Sequence, residues 1–175
     1  MSEELKKYIR SVKDFPIKGI MFRDITTLLL NNEASKKTIN ELYNFAKDKN
    51  ITKVVGIESR GFLFGMMLAD KLGVGFIPIR KPGKLPAETE SIEYELEYGK
   101  DKIEIHKDAL QPGDKILLHD DLLATGGTAV AACKLIEKLG GEVAQVSFIV
   151  ELSFLKGRDK LNKYDVKSLV DYTSE

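Results

Sequence analysis

Residues 116–140, ILLHDDLLATGGTAVAACKLIEKLG, decide how this chain folds. Ile116-Leu117-Leu118 is an unbroken apolar run, the pattern of a strand covered on both faces, and Ala132, Leu135, Ile136 and Leu139 recur at i, i+3, i+4 and i+7 as on a helix. A strand therefore feeds a helix, with Ala124-Thr125-Gly126-Gly127-Thr128 as the small-residue turn near the junction. The first N–H groups of a helix lack intrahelical partners and stand at the positive end of its dipole, so a turn poor in side chains lets an anion reach the backbone. The segment predicts a phosphate cradle.

Asp120 and Asp121 add a second requirement, because acids beside a phosphate repel it unless they hold some other part of the same ligand. Hydroxyls or a metal satisfy them, and a ligand with a phosphate at one end and vicinal hydroxyls nearby is a sugar phosphate. The pattern suggests a ribose 5-phosphate grip, with the acids on the diol directly or through Mg²⁺. Two other phosphate motifs fail: no lysine precedes Thr128, so this is no P-loop, and Gly73-Val74-Gly75 runs on to Pro78 where a dinucleotide fingerprint needs its third glycine.

Outward from this segment, short runs rich in Val and Ile at Lys53 to Ile57, Gly75 to Ile79, Lys115 to His119 and Glu142 to Leu152 alternate with helical stretches at Gly61 to Leu72 and Gly127 to Leu139. Gly73 and Gly140 stand where helix C-caps belong. Alternating strands and helices predict an α/β architecture, a parallel sheet with helices on both faces and ligands at the carboxyl ends of the strands. Glu58, Arg80 and Asp120 all follow strand ends. Near the start, Leu5, Tyr8, Ile9 and Val12 form a helical stripe, and Ser35 is a candidate cap for a second helix carrying Ile39, Leu42, Tyr43 and Ala46, so the amino-terminal third is expected to be helical. Between Arg80 and Pro112 the period becomes two: Ile92, Tyr94, Leu96 and Tyr98 alternate with Ser91, Glu93, Glu95 and Glu97, a turn is expected at Gly99-Lys100-Asp101, and Ile103 and Ile105 continue a second strand. An antiparallel flap with one apolar and one acidic face is expected, a natural lid.

With 175 residues and no linker, repeat or low-complexity tract, one domain over 1–175 is the default. Twenty-seven basic residues balance 27 acidic ones, which removes the long-range field that draws proteins to nucleic acid or anionic lipid, so neither is an expected partner. The first residues, MSEELKKYIRSVKDF, contain acids and no apolar core of a signal peptide, and no run of eighteen apolar residues occurs; a cytoplasmic location is expected. The lone Cys133 lies in an Ala-rich helix and reads as a buried small hydrophobe. His106 and His119 have no second ligand at metal spacing and read as structural, and around Ser59 only Gly61 of the two glycines of a hydrolase elbow is in register.

Ile116 to Thr128 resembles the phosphoribosyl pyrophosphate signature of the type I phosphoribosyltransferases: hydrophobic residues leading into Asp-Asp and then Ala-Thr-Gly-Gly-Thr. FPIKGIMFRDIT (15–26), GIESRGF (56–62), IRKPGKLP (79–86), LEYGK (96–100), KDALQPGDK (107–115) and ELSFLKGRDKL (151–161) extend the resemblance in order over nearly the whole chain. They narrow it to the members of that family that act on adenine. The resemblance implies the type I phosphoribosyltransferase fold, with an amino-terminal hood over about residues 1–34, a flexible flap over about 81–106 and a homodimer. It implies transfer of the phosphoribosyl group from phosphoribosyl pyrophosphate to adenine, giving AMP and pyrophosphate, with Mg²⁺ as cofactor. An oxocarbenium-like ribose would be trapped by water, which is the reason for a lid.

The same resemblance assigns residues. Glu58, Ser59, Arg60, Arg80, Lys81, Lys84, Asp120, Asp121 and Ala124 to Thr128 would bind phosphoribosyl pyrophosphate, with a cis Glu58-Ser59 peptide and Arg60 and Lys81 sharing one phosphate. Asp120 and Asp121 would also attract Mg²⁺, mainly through substrate and water. Met21 would read the adenine edge through its backbone, Phe22 would stack on the ring, Arg23 would offer backbone contacts unless it forms a structural pair with Asp24, and Leu152 would close the wall. Glu97 matches the proton-transfer residue and Tyr98 would orient the ring, although Glu93, Glu95 and Glu97 on one strand face also read as a solvated acidic surface. Two alternatives stand beside this one: a transferase for 6-oxopurines, in which a positioned lysine would read the oxo group, and a non-catalytic phosphoribosyl pyrophosphate-sensing regulator, which would need a nucleic-acid-binding module.

Overall fold

The computed structural model describes residues 3–95 and 99–175. After a 3₁₀ turn at Glu3–Tyr8 the chain forms strands β1 (Arg10–Lys13) and β2 (Met21–Asp24), then helices α1 (Thr26–Leu30) and α2 (Asn32–Ala46). Strand β3 (Lys53–Ile57), helix α3 (Gly61–Leu72) and strand β4 (Gly75–Ile79) follow; β5 (Thr89–Glu95) and β6 (Lys100–His106) are inserted before β7 (Lys115–Leu123), α4 (Gly127–Lys138), β8 (Glu142–Leu152) and β9 (Val166–Tyr172). Five strands make one parallel sheet in the order β4-β3-β7-β8-β9.

Alternation along the strands builds a core on each face. Val55, Ile57, Ile79, Ile116, Leu118 and Phe148 pack with Ala132, Leu135 and Ile136 of α4, while Val54, Leu117, Val150 and Leu169 pack with Leu42 of α2 and Phe64 and Leu68 of α3. Side chains of successive strand residues point to opposite faces, so near-continuous apolar strands are what such a two-sided sheet needs. From β3 the chain winds outward to β4, whereas from β7 it winds the other way to β8 and β9. The carboxyl ends of β3 and β7 are therefore the topological switch point, where open sheets of this kind leave a crevice.

Several sequence expectations need correction. The amino-terminal third is not wholly helical: Val12 lies in β1, paired antiparallel with β2 in a hairpin. Asp14, at φ 59°, turns the chain and accepts the Gly19 N–H at 2.7 Å, and Arg10 closes the open end on Asp24 at 2.5 Å. Ser35 does not cap α2; Asn31 does, its side chain accepting the Ala34 N–H at 2.9 Å, and the buried Ser35 hydroxyl donates to the Leu28 carbonyl oxygen at 3.2 Å. In the flap, Lys100 and Asp101 belong to β6, opposite Glu95 and Tyr94, rather than to the turn. The flap is also rooted: Ile103 and Ile105 are buried, Ile92 and Tyr94 pack on the same core, and an isolated bridge joins Arg80 to Glu104. Strand β9, at the sheet edge, has no counterpart in the sequence reading. No described helix is long and apolar enough to cross a membrane.

Candidate active site

The two acidic residues lie within β7, which runs on to the buried Leu123 instead of ending at His119 as the sequence suggested, and they stand beside the end of β3. Asp120 Oδ1 accepts the Asp121 N–H at 2.8 Å, and burial together with the neighbouring Asp121 charge pushes its carboxyl well above the usual range. Asp121 is 3% exposed, and burial raises it too, against the pull of Arg60. Arg60 Nε stands 2.9 Å from Asp121 Oδ2 as an ion pair without hydrogen-bond geometry, so that oxygen has no hydrogen-bond partner. The site thus holds two adjacent carboxyl groups, one of whose oxygens, Asp121 Oδ2, no hydrogen bond satisfies, a condition that favours an added donor or cation.

Backbone approach explains the glycines here. A Cβ on Gly61 would come within 2.9 Å of Asp120 Oδ1 and the His119 carbonyl oxygen, so only glycine lets the start of α3 sit against the end of β7. Gly126 is at φ 79°, a left-handed conformation costly for other residues, and it leads directly into α4. The free N–H groups of that helix face a cavity of about 200 Å³ lined by Asp120, Leu122 to Ala129 and Phe148. A second cavity, about 160 Å³, is lined by Glu58, Arg80, Lys81, Tyr94, Asp101, Asp120 and Thr128 among others. Asp120 lies in the wall of both.

Around the second cavity the cations are already engaged. Arg80 forks onto Glu58, with Nε and Nη2 each 3.2 Å from a carboxylate oxygen, and its Nη1 donates to the Lys84 carbonyl oxygen at 3.2 Å. Glu58 also accepts the Lys81 N–H at 2.8 Å; burial works to raise its carboxyl, but these donors hold it below the usual range. The Glu58-Ser59 peptide is cis, as the sequence resemblance implies, and Ser59 is exposed. Arg60 and Lys81, expected to hold one phosphate together, do not share a partner. Lys81 Nζ pairs with Asp101 on β6, whereas Arg60 pairs with Asp121 and lies over the Phe22 ring, 4.8 Å from its centroid.

The expected base residues line two different cavities. Met21 and Leu152 border one of about 350 Å³ with Ile17, Ile20, Phe154 and Leu155, while Phe22 borders one of about 410 Å³ with Arg60, Phe15 and Val12. The alternation of β2 produces this split, because neighbouring strand residues face opposite ways. Arg23 does not pair with Asp24: its guanidinium lies 3.9 Å from the Tyr172 ring centroid and bonds the Ser11 hydroxyl, while Asp24 binds Arg10 and Thr26. Glu97 and Tyr98 lie outside the described residues.

Sequence reasoning missed Tyr94 and Asp101 as site residues. The Tyr94 hydroxyl stands 3.2 Å from both Thr128 Oγ1 and Asp101 Oδ2, joining flap, phosphate loop and Lys81 in one network. Tyr94 stood out only as an apolar-face position of an alternating strand. His119, buried beneath the acids, meets the Ser147 hydroxyl at 2.9 Å through Nδ1, burial lowers its imidazole to about 3, so it is neutral, and its Nε2 has no hydrogen-bond partner.

A parallel sheet with an acid pair and a glycine-rich helix start at its switch point points to a class, the phosphoribosyltransferases, and residues 26–173 match the family model described as phosphoribosyl transferase domain. The relatives are more specific. The chain is 59% identical over 168 residues to an adenine phosphoribosyltransferase of Clostridium perfringens, covering 96% of this chain and 98% of that one. It superposes on the adenine phosphoribosyltransferase of Thermoanaerobacter pseudethanolicus with a TM-score of 0.95 at 53% identity, covering 97% and 99% of the two chains. On the Giardia lamblia enzyme complexed with 9-deazaadenine the TM-score is 0.93 at 40% identity, covering 99% of each. The chain belongs to the adenine phosphoribosyltransferase family.

Proposed function

We infer that this protein transfers the 5-phosphoribosyl group from phosphoribosyl pyrophosphate to adenine, releasing pyrophosphate and forming AMP. The observation that carries the reading is the placement of Asp120 in the walls of two cavities, one at the amino terminus of α4 and one among Arg80, Lys81 and Thr128. A ribose held by its hydroxyls at Asp120 and Asp121 would put its 5-phosphate in the first and its pyrophosphate in the second. The N–H groups at the start of α4 and the Thr125 and Thr128 hydroxyls receive the phosphate. Arg60, Arg80, Lys81 and Lys84 supply the positive charge that a departing pyrophosphate needs, with Lys81 exchanging Asp101 for the ligand.

No group of three or more metal-ligating side chains occurs among the described residues. Two adjacent carboxylates, one oxygen of them without a hydrogen-bond partner, fit Mg²⁺, which keeps water and substrate phosphate oxygens in its shell and needs only one or two protein acids. Asp120 and Asp121 would hold it. Bound there, it neutralises charge on the leaving group.

At the base, the Met21 backbone would offer a donor and an acceptor to the adenine edge, Arg23 would add backbone contacts and Leu152 would form the wall; Phe22, which lines a different cavity with Arg60, would stack on the ring only after the hairpin and Arg60 rearrange on binding. Glu97 exchanges the proton that the purine must lose. The hairpin and α1 act as the hood, the β5–β6 unit is the lid, and residues 1–175 work as one domain. Leu63, Met66 and Met67 leave an apolar stripe exposed on α3, which supports a homodimer. A cytoplasmic location, away from membrane and nucleic acid, is part of the same proposal, and the balanced charge supports it.

The test is turnover of phosphoribosyl pyrophosphate and Mg²⁺ with each purine in turn. AMP from adenine, and at most a trace of product from hypoxanthine, guanine or xanthine, is expected. Product from a 6-oxopurine alone would replace the substrate assignment, and ligand binding with no turnover would make the protein a sensor.

A further inference from the structure

The phosphate loop rests on a second loop that the reaction chemistry leaves unexplained. After β8, two 3₁₀ turns, Ser153–Leu155 and Gly157–Leu161, meet at Lys156, whose φ is 54°. The backbone of Gly157 interlocks with residues 124–126: a Cβ on Gly126 would lie 2.6 Å from the Gly157 carbonyl oxygen, and a Cβ on Gly157 would overlap the Ala124 carbonyl oxygen. Each loop has a glycine where the other comes closest.

The neighbouring Arg158 anchors this contact to the sheet. Its Nε donates to Glu151 Oε1 at 2.8 Å, Nη2 donates to Glu151 Oε2, Nη1 donates to the Val166 carbonyl oxygen at 2.8 Å, and Nη2 also reaches the Ser168 hydroxyl at 3.1 Å. Ser168 in turn donates to Glu151 Oε2 at 2.6 Å. A planar guanidinium fork on a carboxylate fixes orientation as well as distance, which an ammonium cannot do. Glu151, 5% exposed, immediately precedes Leu152 of the proposed base wall. One ion pair therefore joins the end of β8 to the loop that supports Ala124, Thr125 and Gly126.

We propose that Gly157 and Arg158 are positioning residues for the phosphate loop, with the Glu151–Arg158 pair pressing Gly157 against Ala124 and Gly126 so that the loop N–H groups converge on the 5-phosphate at a fixed spacing from the base wall. The proposal deepens the phosphoribosyl reading and rests on it. Neither side chain is required to touch substrate. Displacing a positioned group by about 1 Å can cost up to about 10²-fold, so a single methyl group at this contact is a sufficient perturbation.

The experiment compares G157A and R158K with the unaltered protein by calorimetric binding of ribose 5-phosphate, by separate KM values for phosphoribosyl pyrophosphate and adenine, and by thermal melting. G157A is expected to weaken ribose 5-phosphate binding about tenfold or more and to raise KM for phosphoribosyl pyrophosphate in parallel, with KM for adenine changing about twofold or less. R158K, which keeps the charge and loses the fork, should move the same two quantities by about threefold to tenfold while KM for adenine changes about twofold or less, and should lower the melting temperature because buried acceptors lose donors. Unchanged ribose 5-phosphate affinity in both variants, or equal losses in both KM values, would overturn the proposal. Should G157A fail to fold, R158K decides alone. An unaltered protein that binds ribose 5-phosphate but forms no AMP would remove the transfer reaction and leave the positioning claim to the binding data.

Discussion

The acids at the switch point and the acids of the two antiparallel hairpins have opposite electrostatic fates. Asp120, half-buried, and Asp121, buried beside it, are both raised, whereas Asp24 in β2 and Asp101 in β6, although burial works to raise them too, are lowered by their partners, Thr26 and Arg10 in one case and Lys81 and Lys102 in the other. Charge in the hairpins holds structure together. Charge in the grip is kept at a cost to the folded state, and a bound diol or cation relieves that cost. A group whose carboxyl is raised on folding binds protons more tightly folded than unfolded, so its contribution to stability falls as pH rises from the ordinary carboxylate range through the raised value.

The largest test of this contrast is Glu97, which lies in sequence between β5 and β6. If the hairpins are structural throughout, E97A should retain nearly full turnover; if Glu97 carries the purine proton, kcat should fall about 10²–10⁴-fold, with ribose 5-phosphate affinity unchanged. We expect the fall, read from steady-state kinetics beside binding. D120N comes next. It is expected to lower kcat/KM about 10²-fold by removing an acceptor for the ribose hydroxyls, yet to raise the melting temperature of the ligand-free protein near pH 7 by about 2–4 °C, roughly 1 kcal/mol, because a carboxyl raised on folding costs the folded state near neutral pH and an amide does not. Loss of activity with loss of stability would show that the charge of Asp120 supports the fold.

How legible each region was follows from the range of its interactions. Ile116 to Leu139 carries its own strand, turn and helix periods, so β7, the phosphate loop and α4 could be read locally, and the alternation with β3, α3, β4 and β8 implied the parallel sheet. Arg10 to Asp24 was misread because its hairpin depends on Asp14 in a left-handed conformation and on an ion pair spanning fourteen positions, while Leu5 to Val12 mimics a helical stripe. Val166 to Tyr172 becomes a strand by pairing with β8 at the sheet edge, a register no local pattern announces. The acids, glycines and threonines of the grip were legible as types at a spacing. That Arg60 would choose Asp121 and Lys81 would choose Asp101 was not, since side-chain pairing follows from a flap and a switch point meeting across the sheet.

The hood gives the third prediction. Burial alone would raise Asp24, but hydrogen bonds from Thr26 and the Arg10 ion pair outweigh it and hold the carboxyl at about 2, against 3.8 unperturbed. A carboxyl lowered on folding contributes stability that is complete above its unfolded value and is lost as pH falls from about 4 to 2, here amounting to at most about 2 kcal/mol. Urea melts from pH 6 to pH 2 should show this loss, and R10M should shrink it, the Thr26 hydrogen bonds keeping the larger share, while leaving ribose 5-phosphate binding near pH 7 intact. An unchanged acid limb in R10M would assign the effect to other carboxylates.

The smallest effect is expected where the two regions touch. Tyr94 bonds Thr128 at the start of α4 and Asp101 of β6 at the same 3.2 Å, so its hydroxyl holds the hairpin against α4 through a residue proposed above to receive the substrate phosphate. A neutral hydrogen bond contributes about 0.5–1.5 kcal/mol net, or roughly twofold to tenfold in an equilibrium. Because the bond competes with phosphate for the Thr128 hydroxyl, Y94F should lower KM for phosphoribosyl pyrophosphate by about twofold to fivefold and leave kcat within about twofold. A rise in KM would instead make the phenol a ligand-binding group and move Tyr94 from the structural side of the comparison to the functional one.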